Sequence, residues 1–169
     1  MWRVARDRRI CTHETSVAER VYEDEPMTEQ ARATPCHCQA ARQGTRQLTQ
    51  HYDRYLAPAG LRASQYAVLA RLGRLRVASI NELSDALVMD RTTLGRALRP
   101  LERDGLVLIG PGTDGRTRAL RLTDAGEARL AAALPLWQEA QDAYEALFGS
   151  TEAADLHRAL ERLVVIIPN

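Results

Sequence analysis

The residues with the most reactive chemistry stand together at Pro35-Cys36-His37-Cys38. Thr34 is a good N-cap and proline is favoured at the first helical position, so Thr34-Pro35 predicts a helix opening here, with both thiols in its first turn. The exposed N–H groups and the dipole at that end favour thiolate, the form that oxidises. Cys36 and Cys38 are therefore a candidate redox sensor, set against inert small residues at a helix start. Zinc would need further ligands, and Cys11, His51 and His157 stand alone in the sequence, so no metal or other cofactor is expected. A thiol-based enzyme is the alternative reading. Against it, sequence neighbours on a helix do not face each other, no third orienting group is visible, and no catalytic residue is assigned.

A second set is aromatic. His51, Tyr52, Tyr55 and Trp137 are candidates for lining a ligand pocket, with Arg46 or Arg62 to hold a carboxylate. Such a lining suits an aromatic acid or phenol; plain core packing is the competing reading.

The third set is basic. All 23 basic residues are Arg, a bias that a GC-rich coding sequence also produces. Arginine offers planar, bidentate donors that fit phosphates and guanine edges. Eleven Arg and six acids fall between Arg62 and Arg121, an excess of five positive charges in a chain whose net charge is +1. A basic block in a near-neutral protein is a nucleic-acid footprint.

The elements that position these residues follow from periodicity and punctuation. Residues 1–33 mix charges without period and read as a disordered tail, with Met27 as an alternative start. Residues 34–169 read as the folded part. The segment from Cys36 to Leu56 has helical spacing at Leu48, Tyr52, Tyr55 and Leu56, and ends at Pro58 and Gly60. Ser64 is the expected cap of a second helix, broken at Gly73. Ser79-Ile80-Asn81-Glu82 has the form of a capping box and opens a short helix. Asp90 caps the next one, which runs to about Asp104 and stops at Gly105. Leu106–Ile109 and Thr117–Leu122 predict two strands joined by a Gly-rich basic tip. Thr123 caps a long helix, kinked at Pro135, and Ser150 starts the last one.

The order predicts a mainly α fold with a small β-hairpin wing: a winged helix-turn-helix over residues 61–122, flanked by helices at 34–60 and 123–169. The second helix of the motif would enter a major groove. Arg91, Thr92, Thr93, Arg96, Arg99 and Arg103 face away from its Leu94/Leu98/Leu101 stripe. Ser79 and the helix end behind it offer a phosphate site. Arg116 at the wing tip suits a narrow minor groove, with Asp114 holding it or bracing the turn and Arg118 as a further DNA-binding candidate. Pro100 predicts a bend or an early end to the recognition helix, which bears on Arg99 and Arg103. A winged helix that binds protein is the other non-enzymatic reading.

Leu83-Ser84-Asp85-Ala86-Leu87, Asp90-Arg91-Thr92-Thr93-Leu94, Leu101-Glu102-Arg103-Asp104-Gly105-Leu106-Val107, Asp114-Gly115-Arg116 and Leu122-Thr123-Asp124-Ala125-Gly126 occur in that order. Together they resemble the MarR family of regulators over roughly residues 36–168. The resemblance implies a homodimer built from the first and last two helices. It also implies a near-palindromic double-stranded DNA operator, repression by promoter occlusion, and release by a small ligand or by oxidation. On it, Thr92, Thr93 and Arg96 carry over as base-reading residues and Arg116 as the minor-groove residue. No apolar run approaches a membrane span, the N-terminus lacks the apolar stretch of a secretory signal, and the cysteine count is odd. A cytoplasmic protein without membrane contact is expected.

Overall fold

The computed structural model describes residues 36–112 and 118–166. The expected tail at 1–33, the Thr34-Pro35 cap and the wing-tip residues Asp114, Arg116 and Thr117 lie outside them. Contacts divide the chain after Cys36, and the unit beginning at His37 is the one considered below.

Helix α1 spans His37–Leu56 and passes through a 3-10 turn, Ala57–Ala59, that carries Pro58. Gly60 closes the turn in the left-handed region, φ 67°, where glycine carries no Cβ penalty. Helix α2, Ala63–Leu75, starts one residue before the expected cap, Ser64. Its first turn is held instead from two sides. The Ala63 amide donates to Asp53 Oδ1 of α1 at 2.7 Å, and the Arg62 amide donates to Gln65 Oε1 at 2.9 Å. A cap supplied from ten residues upstream leaves no local sequence signal. Gly73 does not break α2, because a Cβ there would lie 3.1 Å from Leu130 Cδ2 and the glycine serves close packing.

A strand that the sequence reading missed, β1 (Val77–Ser79), follows. Strands β2 (Val107–Pro111) and β3 (Arg118–Leu122) form the expected antiparallel pair, and β1 joins the free side of β3. The sheet is thus three-stranded in the order β1-β3-β2, not a lone hairpin. Three residues are too few to display alternation, and β1 exists because β3 presents an open edge to it. Leu120 and Ala78 turn inward from opposite positions on β3 and β1.

Between them stand α3 (Ile80–Leu87) and α4 (Arg91–Arg103). The core joins Leu69 and Leu72 of α2, Leu83 of α3, Leu94, Leu98 and Leu101 of α4, and Leu120 of β3, all within 1% of full burial. Helix α5, Asp124–Phe148, is capped by Thr123, whose Oγ1 accepts from the Gly126 amide at 3.0 Å. The early helix end expected at Pro100 needs correction. Helix α4 continues past Pro100 to Arg103, and α5 runs unbroken through Pro135. A proline removes one backbone bond, and at Pro100 the buried Leu98 and Leu101 on either side hold the helix against that loss. Helix α6, Ser150–Ile166, packs on α5 and contributes no buried residue to the unit.

Candidate nucleic-acid interface

The α3-turn-α4 unit is fixed by polar contacts at each joint. At the head of α3, Ser79 Oγ accepts from the Glu82 amide at 3.2 Å and Glu82 Oε2 accepts from the Ser79 amide at 2.7 Å. The Ser79 amide first, and then the Ser79 hydroxyl, hold the Glu82 carboxyl below the usual range. These bonds also use two of the donors at this helix end and set a carboxylate beside them, which reduces what Ser79 offers a phosphate. The turn between the helices is made by Val88 in the left-handed region, φ 53°, with the Met89 amide returning to the Ser84 carbonyl at 2.9 Å. A β-branched residue there is strained.

At the head of α4, both Asp90 oxygens are engaged by one residue. Oδ1 accepts from the Thr93 amide at 2.9 Å and Oδ2 from the Thr93 hydroxyl at 2.5 Å. The hydroxyl first, then the amide, holds the Asp90 carboxyl below its usual range. One face of α4 is sealed by Leu94, Leu98 and Leu101, and the other exposes Arg91, Thr92, Thr93, Arg96, Arg99 and Arg103. Arg103 is turned back onto Asp104, Nε to Oδ1 3.0 Å. The α4 members of the expected set are therefore exposed on the side of the helix away from its leucines. Arg118 begins β3, exposed and paired with Pro111.

The aromatic candidates line two different grooves, with the His51 and Tyr52 rings meeting edge-on at 5.5 Å between centroids. Tyr52 and Trp137 line one cleft of about 360 Å³ with Leu56, Tyr66, Leu134 and Arg74. Tyr66 stacks on Trp137 with ring centroids 6.0 Å apart. Burial raises the Tyr66 pKa against the opposing pull of Arg74, and burial likewise leads the rise at Tyr52. His51 instead faces a second groove beside Leu48, Tyr144 and Phe148, its Nε2 2.8 Å from the Ala140 carbonyl oxygen, with Tyr55 against its ring at 5.1 Å. The sequence reading named Arg46 or Arg62 as the cleft's cation, whereas Arg74 occupies that place. Tyr66, Ala70 and Arg74 repeat at four-residue spacing, a signal that was legible in the sequence. Cys36 stands just before α1 and Cys38 is its second residue, both exposed. Among the described residues no three His, Cys, Asp or Glu side chains are grouped to hold a metal, and no helix is long and apolar enough to cross a membrane.

Neither a family model nor a curated protein matches the chain. Solved structures do. The M. tuberculosis transcriptional regulator MosR, crystallised in complex with DNA, is 36% identical, with a TM-score of 0.64 over 76% of this chain and 98% of that one. A mutant MarR from E. coli in complex with operator DNA is 23% identical, with a TM-score of 0.68 over 75% of this chain and 91% of that one. The transcriptional repressor CouR, bound to a 23-mer DNA duplex, is 25% identical, with a TM-score of 0.69 over 76% of this chain and 92% of that one. The chain belongs to the MarR family. Its mainly α fold with a small antiparallel sheet is the winged helix-turn-helix of that family's transcription regulators.

Proposed function

We propose that this MarR-family protein is a homodimeric, sequence-specific DNA-binding transcription regulator, acting in the cytoplasm as a repressor. The observation that carries the reading is the two-faced α4. Three leucines anchor it in the core, while Arg91, Thr92, Thr93 and Arg96 stand exposed at its leading end. Arginine there meets guanine O6 and N7, threonine meets other base edges, and Arg116 and Arg118 of the wing follow the minor groove. An enzyme reading has no comparable support.

Dimerisation draws on the ends of α5 and α6. Leu147 and Val165 are each 83% exposed, and Phe148, Leu160, Leu163, Val164 and Ile166 of the same two helices are also exposed. Apolar side chains exposed in that number call for a cover in water. A second copy, joined through residues 34–60 and 123–169, would set two α4 helices against successive major grooves of a near-palindromic operator. Two release signals are supported. A small aromatic or phenolic acid fits the Tyr52/Tyr66/Trp137 cleft, with Arg74 as its anion partner. Oxidation of Cys36 and Cys38, exposed at the entrance to α1, is the other.

The test is fluorescence anisotropy with duplex DNA from the region beside the protein's own gene, under excess unrelated DNA, with reductant and with mild peroxide. Nanomolar binding that survives competitor and falls steeply with salt is expected. Replacing Arg96 and Arg116 by Ala should abolish it. Loss under peroxide that is absent in Cys36→Ser/Cys38→Ser assigns the thiols; indifference to peroxide points to a small-molecule inducer. Unchanged affinity in the arginine variants would remove the recognition-helix reading.

A further inference from the structure

The Thr93 hydroxyl has one hydrogen, and that hydrogen is committed to Asp90 Oδ2 at 2.5 Å. Its backbone amide is committed to Asp90 Oδ1 at 2.9 Å. A hydroxyl whose only donor is spent on a carboxylate has lone pairs alone to offer a third group. Asp90, ionised, is likewise an acceptor only. Both residues are exposed, one at the cap and one in the first turn of α4. The leading end of the helix therefore combines donors, Arg91 and Arg96, with one spot that only accepts.

We propose that Asp90 is a specificity-determining positioning residue: by holding the Thr93 hydroxyl proton, it makes this spot select an amino-bearing base, cytosine or adenine, on the strand that faces it. The inference rests on the DNA-binding reading above and deepens it. In the major groove, cytosine N4 and adenine N6 present N–H donors, whereas guanine O6 and N7 and thymine O4 present acceptors. An acceptor-only pair gains a hydrogen bond from the first two. With the others it faces lone pair against lone pair, which leaves buried acceptors unsatisfied. Asp90 acts through Thr93, whose polarity it sets, since both of its own oxygens are engaged by that residue.

The polarity can be inverted without removing the cap. Asparagine caps helices about as well as aspartate. In Asp90→Asn the amide oxygen still takes the Thr93 N–H, while the amide NH2 donates to the hydroxyl oxygen. The hydroxyl proton then turns outward, and the spot seeks an acceptor. Thr93→Val keeps the shape and removes the hydroxyl.

The experiment is selection from a randomised duplex library by the full-length wild type, Asp90→Asn and Thr93→Val, with circular dichroism of each protein. The wild type is expected to enrich cytosine or adenine at one position of each half-site, about tenfold over guanine and thymine. Asp90→Asn is expected to enrich guanine or thymine at that same position. Thr93→Val should lose the preference there and keep the rest of the site; this variant decides the question if Asp90→Asn does not fold. Identical base preferences in the wild type and the folded variants would overturn the inference and leave DNA binding standing. A wild type that enriches no sequence would overturn both.

Discussion

Adding one methyl group at Gly126 tests how α5 is joined to the winged unit. A Cβ built there lies 2.0 Å from the Leu106 carbonyl oxygen and 3.0 Å from its carbon. An ordinary carbon–oxygen contact is about 3.3 Å, so helix and strand must part by roughly 1.3 Å. Little in the joint can yield. Thr123 Oγ1 donates to the Gly105 carbonyl at 2.6 Å and accepts from the Gly126 amide at 3.0 Å, and the Thr123 amide donates to the Leu106 carbonyl at 3.1 Å. These bonds tie the end of α4, the start of β2 and the start of α5 at one residue. Overpacking costs about 1–3 kcal/mol, and each strained hydrogen bond adds about 1 kcal/mol. Helix propensity returns about 1 kcal/mol in favour of alanine. Gly126→Ala is therefore expected to destabilise by roughly 2 kcal/mol, lowering the urea midpoint by about 1 M at matched protein concentration. Gly95→Ala is the control. It is the same substitution in α4, nothing lies within 4 Å of its Cβ, and it should gain up to about 1 kcal/mol. Gly126→Ala as stable as the wild type, with an unchanged m-value, would refute the claim that this contact is rigid.

Further outcomes follow from single observations. Val88→Asn relieves a β-branched residue at φ 53° and should raise Tm by about 3 °C, read by thermal circular dichroism. Leu98→Ala, at a position 1% exposed in the leucine seam of α4, should cost about 2–5 kcal/mol in urea unfolding. Hydrogen bonds lower the pKa of both Glu82 and Asp90, so their contribution is present above the ordinary carboxylate range and lost as pH falls through the depressed values. Acid unfolding below about pH 4 should therefore be shallower in a Glu82→Gln/Asp90→Asn double variant than in the wild type. Asp53→Ala removes the carboxylate that holds the Ala63 amide and should destabilise by about 1 kcal/mol, whereas Ser64→Ala should leave urea stability nearly unchanged.

The sequence by itself determined the local features. The capping box at Ser79, the caps at Asp90 and Thr123, the stop at Gly105 and the leucine spacing of α4 each depend on residues within a turn of one another, and all stand in the structure. The arginines and threonines of the expected reading face were legible for the same reason, since a helix with three buried leucines leaves only one other side. Tertiary structure alone decided what depends on distant partners. The three residues of β1 become a strand through β3, whose paired residues lie 40 to 44 positions away in the chain. Helix α2 takes its cap from Asp53 on a neighbouring helix, and Gly73 and Gly126 are small because other elements approach them. Trp137 and Arg74 share a cleft because α2 packs on α5, which also leaves His51 in a different groove. Pro100 and Pro135 stay helical because one missing backbone bond is a small loss beside the packing of a whole helix, and packing is the quantity a single-residue propensity does not contain.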